Sequence, residues 1–345
     1  MLEEIKLSFK GQPGNLFKLF RVFVGKVDSI DSLDDLLILT LSGKDIDSGS
    51  KETIKITNEK STDFNGIHSI KFINHIEIGD ILIVANSSLR SLFRVSTPNN
   101  SIFATVRCNS NCLMCSQPPL DYDDTEDNIK AWLYAIELMP EEIKQIGITG
   151  GEPTLLGEGL VFIVNKLQQK YPMIIIDILS NGRLQAKDDT IDILSKITNP
   201  SNVIFAVPLY SDIYKEHDYI VQAKDAFHQT CLGIHKMTSI GFMIEIRVVL
   251  HKLSIKRLYN LSKFIHFNFP FSYHITFMGL EIIGYTKANK KLLLIDDQDT
   301  YISKITQSLD YLDKWKYKTS IYNTPFCQLP KHLWHYSRQS ISDWK

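Results

Sequence analysis

Beyond residue 101 the chain alternates two hydrophobic patterns. Short, nearly continuous apolar runs at Ile102–Arg107, Gln145–Ile148, Met173–Leu179, Val203–Val207, Met243–Leu250 and Tyr273–Phe277 read as strands. Runs of this kind are expected where helices cover a parallel sheet. Between them lie amphipathic stretches. Thr125–Met139 puts Ile129, Trp132, Leu133 and Ile136 on one face and stops at Pro140, and Leu155–Lys170 does the same with Leu156, Leu160, Ile163, Val164 and Leu167. Asp188–Ile197, Gln222–Ile240, Ser254–His266 and Asp296–Asp313 complete the series. These βα units predict an α/β fold, a partial (β/α)6 barrel over residues 101–315, with function on the loops that follow the strands.

The first part reads differently. Short β-like runs at Arg21–Val27, Leu36–Leu41, Thr53–Thr57, Ile67–Ile73 and Asp80–Val84 are separated by turn residues at 11–14, 42–45 and 47–50. A small β-rich domain is expected over 1–97, closed by the linker Thr97-Pro98-Asn99-Asn100, and residues 316–345 are set apart as a C-terminal tail. His68 and His75 flank an apolar stretch and read as ordinary edge residues.

Composition narrows the class. The 345 residues are 44% hydrophobic and 22% charged, ordinary for a globular protein. Lys and Arg number 38 against 39 Asp and Glu, a net charge of −1, so no global field favours nucleic acid or an anionic membrane. No apolar run approaches the ~18 residues of a spanning helix. Met1-Leu2-Glu3-Glu4 lacks the basic-then-apolar layout of a signal peptide. The expectation is a cytoplasmic protein with neither membrane nor nucleic acid as partner. The basic, aromatic stretch Lys331–Arg338 reads as a surface helix.

Cysteine carries the chemistry. There are five, Cys108, Cys112, Cys115, Cys231 and Cys327, an odd number that argues against a disulfide framework. Cys231 lies between Phe227 and Ile234 at helical spacing and reads as a core thiol. Cys108, Cys112 and Cys115 form Cys-x3-Cys-x2-Cys on the loop after the first barrel strand. Three thiolates on one short loop can hold three corners of a cuboidal iron–sulfur cluster and leave its fourth iron open. Thiolates also take zinc, but a structural zinc site asks for four ligands, and the nearest histidines are His75 and His217. One βα unit later, Thr149-Gly150-Gly151-Glu152-Pro153 joins a strand to a helix. Its glycines allow close backbone approach and positive φ, Glu152 offers a carboxylate to an amino group, and Pro153 suits a first helical turn.

The three-cysteine loop, Gly150–Pro153 and the six βα units together resemble the radical S-adenosyl-L-methionine (SAM) enzymes over roughly 101–280. The resemblance implies that Cys108, Cys112 and Cys115 ligate a 4Fe-4S cluster, that SAM chelates the open iron, and that Gly150, Gly151, Glu152 and Pro153 hold its methionyl amino group. Met114 stands where the family has an aromatic residue near adenine. Ser180 and Asn181, after the third strand, are candidate ribose contacts or a simple Asn-Gly turn. Arg247, in an apolar strand, is a candidate for the SAM carboxylate or for a structural ion pair with Glu245 or Glu281. Tyr210-Ser211-Asp212 points to the rim. By the same resemblance, one electron from a flavodoxin or ferredoxin would cleave SAM to a 5′-deoxyadenosyl radical that takes a substrate hydrogen.

A closer resemblance is to the HxsC-type maturases of His-Xaa-Ser repeat-peptide systems. It rests on Asn109–Asn111, Leu113-Met114 and Ser116–Pro119 around the cysteines, on Phe277–Glu281 and on Ser340–Lys345. It implies a ribosomally made precursor peptide as substrate and a second radical SAM maturase as partner. Ile321–Cys327 resembles the segment that leads to an auxiliary cluster in peptide-modifying relatives; no cysteine follows Cys327 here, so no auxiliary cluster is expected. Two other readings stay open: a radical SAM enzyme acting on a small molecule or tetrapyrrole precursor, and a metal-bearing scaffold that binds a partner.

Overall fold

A computed structural model describes residues 4–6, 22–31, 36–40, 53–56, 66–67, 76–85 and 88–338. The turns read at 11–14, 42–45 and 47–50, most of the run Ile67–Ile73, His68, His75 and the segment Ser340–Lys345 lie outside the described residues. The chain divides into two compact units, Met1–Ile102 with Glu126–Lys144, and Phe103–Thr125 with Gln145–Lys345. This division differs from the sequence-derived limits at two places: Glu126–Lys144 groups with the first unit, and residues beyond 316 continue the barrel.

In the first unit, β1 (Glu4–Lys6), β2 (Val22–Asp31), β3 (Leu36–Thr40), β4 (Thr53–Ile56), β5 (Gly66–Ile67), β6 (Ile81–Ala85) and β7 (Ser88–Phe93) form one sheet in the order β1-β7-β6-β2-β3-β4-β5. Its pairs are antiparallel except β4 with β5. The buried carboxylate of Asp80 accepts N–H bonds from Glu77 at 3.0 Å and Val95 at 2.9 Å, which fixes the turn into β6. Asn100 binds the backbone of Arg94 in both directions, so the stretch read as a linker is anchored.

The second sheet is the half-barrel. It contains β8 (Ser101–Phe103), followed by α1 (Thr125–Leu138), then β9 (Gln145–Thr149), α2 (Glu158–Lys170), β10 (Ile175–Leu179), α3 (Asp188–Leu194) and β11 (Val203–Pro208). After α4 (Tyr214–Val221) and α5 (Ala226–Ser239) come β12 (Met243–Leu250), α6 (Leu258–Asn268), β13 (His274–Gly279), α7 (Lys290–Leu293), α8 (Gln298–Lys314), β14 (Thr319–Tyr322) and β15 (Ser337–Arg338). Spatial order follows sequence order from β8 to β15, and β9 to β15 pair in parallel. The expected partial barrel is present, and the stretch read as a tail extends it by two strands.

Two helices differ from the pattern reading. Gln222 and Asp225 both take left-handed backbone, so the single helix expected over 222–240 begins only at Ala226 and is preceded by the unexpected α4. Gly157 has positive φ and divides 155–170 into a 3-10 turn, Pro153–Leu156, and α2. In α2 the expected stripe is buried, with Leu160, Ile163, Val164 and Leu167 all at 0% exposure. In α1, Trp132 and Ile136 are buried while Ile129 and Leu133 remain partly exposed. Among the described residues no helix is long and apolar enough to cross a membrane.

Period-two alternation gives the half-barrel two unlike faces. Ile176, Ile178, Ile244, Ile246, Val248, Ile275, Phe277 and Ile321 are buried on one face, the side on which α5 meets β12 and α8 meets β14. The other face carries Asp177 from β10, Glu245 and Arg247 from β12, His274 and Thr276 from β13, and Ser320 and Tyr322 from β14. Runs that look continuously apolar in sequence therefore line the barrel interior with polar groups.

Candidate active site

The loop after β8 carries Cys108, Cys112 and Cys115, all partly buried and all free thiols. It is held from several sides. Asn111 and Leu113 donate N–H bonds to the carbonyls of Val221 (3.0 Å) and Ile220 (2.9 Å) at the end of α4. Tyr285 N–H donates to the Cys115 carbonyl at 2.9 Å, and Asn289 Nδ2 to that of Leu113 at 2.8 Å. A Cβ on Gly284 would stand 2.2 Å from the Cys115 carbonyl oxygen, so the close approach requires glycine there.

The Gly150–Pro153 stretch supports the same loop. Ala104 N–H donates to Thr149 O, Gly151 N–H to Thr105 O and Glu152 N–H to Arg107 O, at 2.7, 2.7 and 2.8 Å. A Cβ on Gly151 would lie 1.9 Å from Arg107 O, and one on Gly150, at φ +139°, 2.7 Å from Thr105 O. The close approach expected of these glycines is made to the backbone that leads into Cys108. Pro153 opens the 3-10 turn, as expected of a first-turn proline, and Glu152 caps it.

Glu152 is fully buried. Its Oε1 accepts from Thr154 N (3.1 Å), Thr154 Oγ1 (2.6 Å) and Ser180 Oγ (2.7 Å), and its Oε2 from Asn181 N (2.7 Å). Burial pushes its carboxyl above the usual range, partly offset by these donors. Glu152 thus ties the Gly150–Pro153 turn to Ser180–Asn181, and Asn181 carries the link onward. Its Nδ2 donates to Asn109 Oδ1 at 2.5 Å and lies 3.8 Å from Cys108 Sγ.

Arg183 escaped the sequence reading; only its position two residues after Asn181 marks it. Its guanidinium donates to the Asn109 carbonyl, to Ser110 Oγ at 3.0 Å and to Gln229 Oε1 at 2.8 Å. Burial, the Glu152 charge and Cys115 raise Cys108 to about 11, net of smaller hydrogen-bond effects. Burial and the other two thiols push Cys112 up to about 12, and Arg183 is the charge that draws it back down. Burial likewise raises Cys115. Arg183→Lys keeps the charge but loses the fork that grips Asn109 and Ser110. Reconstituted protein carrying it is expected to lose iron to a chelator several-fold faster than wild type, followed by the visible absorbance.

Among the described residues, no three His, Cys, Asp or Glu side chains are gathered as ligands of one metal ion. A cuboidal cluster does not require that, because each thiolate takes a different iron. The donor set fits such a cluster: three thiols on one loop, close enough for Cys108 and Cys115 to raise the proton affinity of Cys112, beside a backbone anchored by the Arg183 guanidinium.

The other expected contacts fall in distinct places. Ser180 and Asn181 stand beside the loop, whereas Met114 packs in an apolar cluster with Tyr210, Ile220, Val221 and Leu293, a core position. Tyr210 is buried and feels both Cys112 and Cys115, while Asp212 is paired with Arg257 at 2.6 Å. Arg247 forms the ion pair with Glu245, Nε to Oε1 at 2.6 Å, and its Nη2 is buried without a hydrogen-bond partner. Thr276 Oγ1 also donates to Glu245 Oε1 at 3.0 Å, and His274 Nδ1 lies 3.5 Å from Oε2. Cys231 is partly buried in α5 and Cys327 is exposed. A cleft of about 380 Å³ opens where β13, β14 and β15 end, lined among others by Glu281, Asn323, Thr324, Phe326 and Arg338.

Asp177 was also missed, hidden between Ile176 and Ile178. It is 1% exposed, and its Oδ2 accepts from Gln145 Nε2 at 2.5 Å. Burial, reinforced by Glu245, pushes it up from 3.8 to about 6, against the pull of Gln145 and Arg247. A carboxyl raised on folding stabilises most below its ordinary value of 3.8, and that contribution is lost as pH rises through about 6. Asp177→Asn should therefore make apo protein more stable at pH 7 by up to about 3 kcal/mol, at about 1.4 kcal/mol per tenfold change in proton affinity. It should also flatten the stability profile between pH 4 and 6, roughly the window that shift spans. Denaturant unfolding at several pH values checks both.

Residues 102–265 match the family model of the radical SAM superfamily. A GTP 3',8-cyclase from Campylobacter jejuni (strain RM1221) is 27% identical over 168 residues, 47% of this chain and 50% of that protein. The chain thus spans half the length of this curated relative. The structure of Streptococcus suis SuiB bound to S-adenosylmethionine superposes with a TM-score of 0.51 at 18% identity, covering 67% of this chain and 51% of that one. Native anSMEcpe with bound AdoMet and Kp18Cys peptide gives 0.50 at 15% identity, covering 64% and 63%. These two likenesses establish the fold.

Proposed function

Residues 102–265 match the radical SAM family model, and on that likeness we propose that the chain is a radical SAM enzyme that modifies a ribosomally made peptide of the His-Xaa-Ser repeat type. One observation carries the enzyme reading: three partly buried thiols on a multiply braced loop, beside the C-terminal ends of a half-barrel whose inner face is polar. Cys108, Cys112 and Cys115 would hold a 4Fe-4S cluster. The Gly150–Pro153 turn and Asn181 stand beside them, and the unpartnered Nη2 of Arg247 suits the SAM carboxylate. When bound, the reduced cluster and SAM supply a 5′-deoxyadenosyl radical. The chain's own part is to brace the loop through Glu152, Asn181 and Arg183 and to present the substrate on the inner wall. Flavodoxin or ferredoxin is the proposed reductant, and a second radical SAM maturase the proposed partner.

The peptide reading is supported by the segments around the cysteines and Phe277–Glu281, and by the cleft at the ends of β13–β15. The similarity to a GTP 3',8-cyclase favours a nucleotide as the second reading. The inner wall weighs against it. Two buried carboxylates, with a lone guanidinium already bonded to one of them, make a poor site for a triphosphate. Co-expression with a His-Xaa-Ser repeat peptide, followed by mass spectrometry and chiral amino-acid analysis, tests the proposal. A changed mass or an inverted centre is expected. A peptide unchanged in both respects overturns the peptide reading.

A further inference from the structure

The segment after β13 lies directly over the cysteine loop. Tyr285 N–H donates to the Cys115 carbonyl at 2.9 Å, Thr286 Oγ1 to that of Met114 at 3.3 Å and Asn289 Nδ2 to that of Leu113 at 2.8 Å. Leu293 of α7 packs with Met114 in a cluster that Cys112 also touches. Thr286 and Leu293 are fully buried. Between them Lys287, Ala288, Lys290 and Lys291 are exposed. One layer of chain therefore stands between residues 113–115 and solvent on this side.

The charge on its outer side is of one sign. From Ile282 to Ile295 the sequence has three lysines and no acidic residue. Among the described residues none of these lysines forms an ion pair. Glu281, which precedes the stretch, lines the cleft and lies 3.5 Å from Asn323 Nδ2. The carboxylates that follow are engaged elsewhere: Asp296 with Lys252 at 2.6 Å, and Asp297 as the cap of α8. Three ammonium groups within five residues repel one another, and no ion pair offsets them.

Their position gives them a use. An electron bound for a cluster held by Cys108, Cys112 and Cys115 has to come from outside the chain, and this exposed layer rests on the loop that would hold it. Transient electron-transfer contacts are small and steered by charge, so a compact basic face suffices. We propose that Lys287, Lys290 and Lys291 form the docking surface for an acidic one-electron carrier protein of the flavodoxin or ferredoxin class. This rests on the radical SAM reading and deepens it by placing the partner on the fold. The reduced carrier is oxidised by one electron, which the cluster receives, and no proton or group moves with it. Complementary charge speeds the encounter and orients the carrier, and the exposed Ile282 offers an apolar contact at the edge.

The test uses reconstituted full-length protein in three forms: wild type, the triple variant Lys287→Glu, Lys290→Glu, Lys291→Glu, and the charge-matched control Lys304→Glu, Lys314→Glu, Lys316→Glu. The control lysines lie on α8 and just beyond it, ahead of β14, and two of them stand at the opposite end of the strands from the cysteine loop. Binding of oxidised flavodoxin and of oxidised ferredoxin is read by titration calorimetry, which needs no turnover. Formation of 5′-deoxyadenosine is measured separately, with the reduced carrier and with dithionite. Wild type is expected to bind at least one carrier, several-fold more weakly at about 300 mM than at about 50 mM salt, because screening acts on exposed charges. The first variant should bind it at least about 10-fold more weakly than wild type, and the control within about 2-fold. Carrier-driven 5′-deoxyadenosine should fall with binding in the first variant, while iron content and the yield with dithionite, which needs no docking surface, stay at wild-type levels. Binding of neither carrier by wild type, binding indifferent to salt, or equal loss in the two variants overturns the proposal. A single-stranded oligonucleotide that binds more tightly than either carrier, and is lost in the first variant alone, assigns the lysines to nucleic acid instead. Failure of wild type to form 5′-deoxyadenosine with dithionite strikes the underlying radical SAM reading, and the binding measurements are read separately from it.

Discussion

Gly151→Ala is expected to strip the protein of iron and to destabilise it by several kcal/mol. The added Cβ would stand 1.9 Å from the Arg107 carbonyl oxygen and 2.5 Å from its carbon, closer than any contact between non-bonded heavy atoms. What it meets is backbone, so no rotamer change relieves the overlap. Overpacking ordinarily costs about 1–3 kcal/mol and more where nothing yields. Relief requires moving Arg107, which is one peptide from Cys108, and breaking the bonds from Gly151 N–H to Thr105 and from Glu152 N–H to Arg107. The loss of stability and the loss of cluster share one cause. Gly157→Ala is the matching control: nothing lies within 4 Å of its added Cβ, so only the backbone at φ +54° and ψ −124° is penalised, by about 1–3 kcal/mol. It should keep its iron. Thermal unfolding and iron analysis of the two variants, side by side, separate a packing effect at the cysteine loop from a general glycine effect.

Cys112→Ala is expected to abolish SAM cleavage, with 5′-deoxyadenosine at least 100-fold below wild type, the scale on which losing an essential cofactor is read. Cys108→Ala and Cys115→Ala should behave alike. Cys112 is the most telling of the three, since its thiol is the most strongly raised by its surroundings and gains most from bound iron. Alanine there removes a proposed cluster ligand without enlarging the residue, so the fold should survive and far-UV circular dichroism should be unchanged. Cys231→Ser and Cys327→Ser should retain iron and activity, because one thiol sits in α5 and the other is exposed after β14. Loss of iron in Cys327→Ser would instead assign it to a second metal site.

Some of this was legible in the sequence and some was not, for physical reasons. The alternation of strands and helices and the helical stripe of α2 followed from periodicity, and the three cysteines announced themselves by spacing. The inner wall did not, because single polar residues such as Asp177 and Glu245 between isoleucines leave a run looking apolar. Only the alternation, with Glu245 and Arg247 two apart, records that the strand has a wet face. The role of Gly150 and Gly151 was half read: close approach was expected, but the partner is the chain's own backbone at Thr105 and Arg107. Arg183, Gly284 and Asn289 could not be placed at all, since their meaning lies in contacts across 74, 169 and 176 positions of sequence. The break at Gln222 and Asp225 was invisible because neither residue announces left-handed backbone.

The central claim is that the loop of Cys108, Cys112 and Cys115 serves radical SAM chemistry. It is tested most directly by reconstituting the protein anaerobically with iron and sulfide, reducing it, adding SAM and quantifying 5′-deoxyadenosine beside the metal content. About four irons per chain, as a cuboidal cluster on three thiolates implies, with reductant-dependent 5′-deoxyadenosine, is the predicted result. Stoichiometric zinc, or a full complement of iron with SAM left intact, would contradict it.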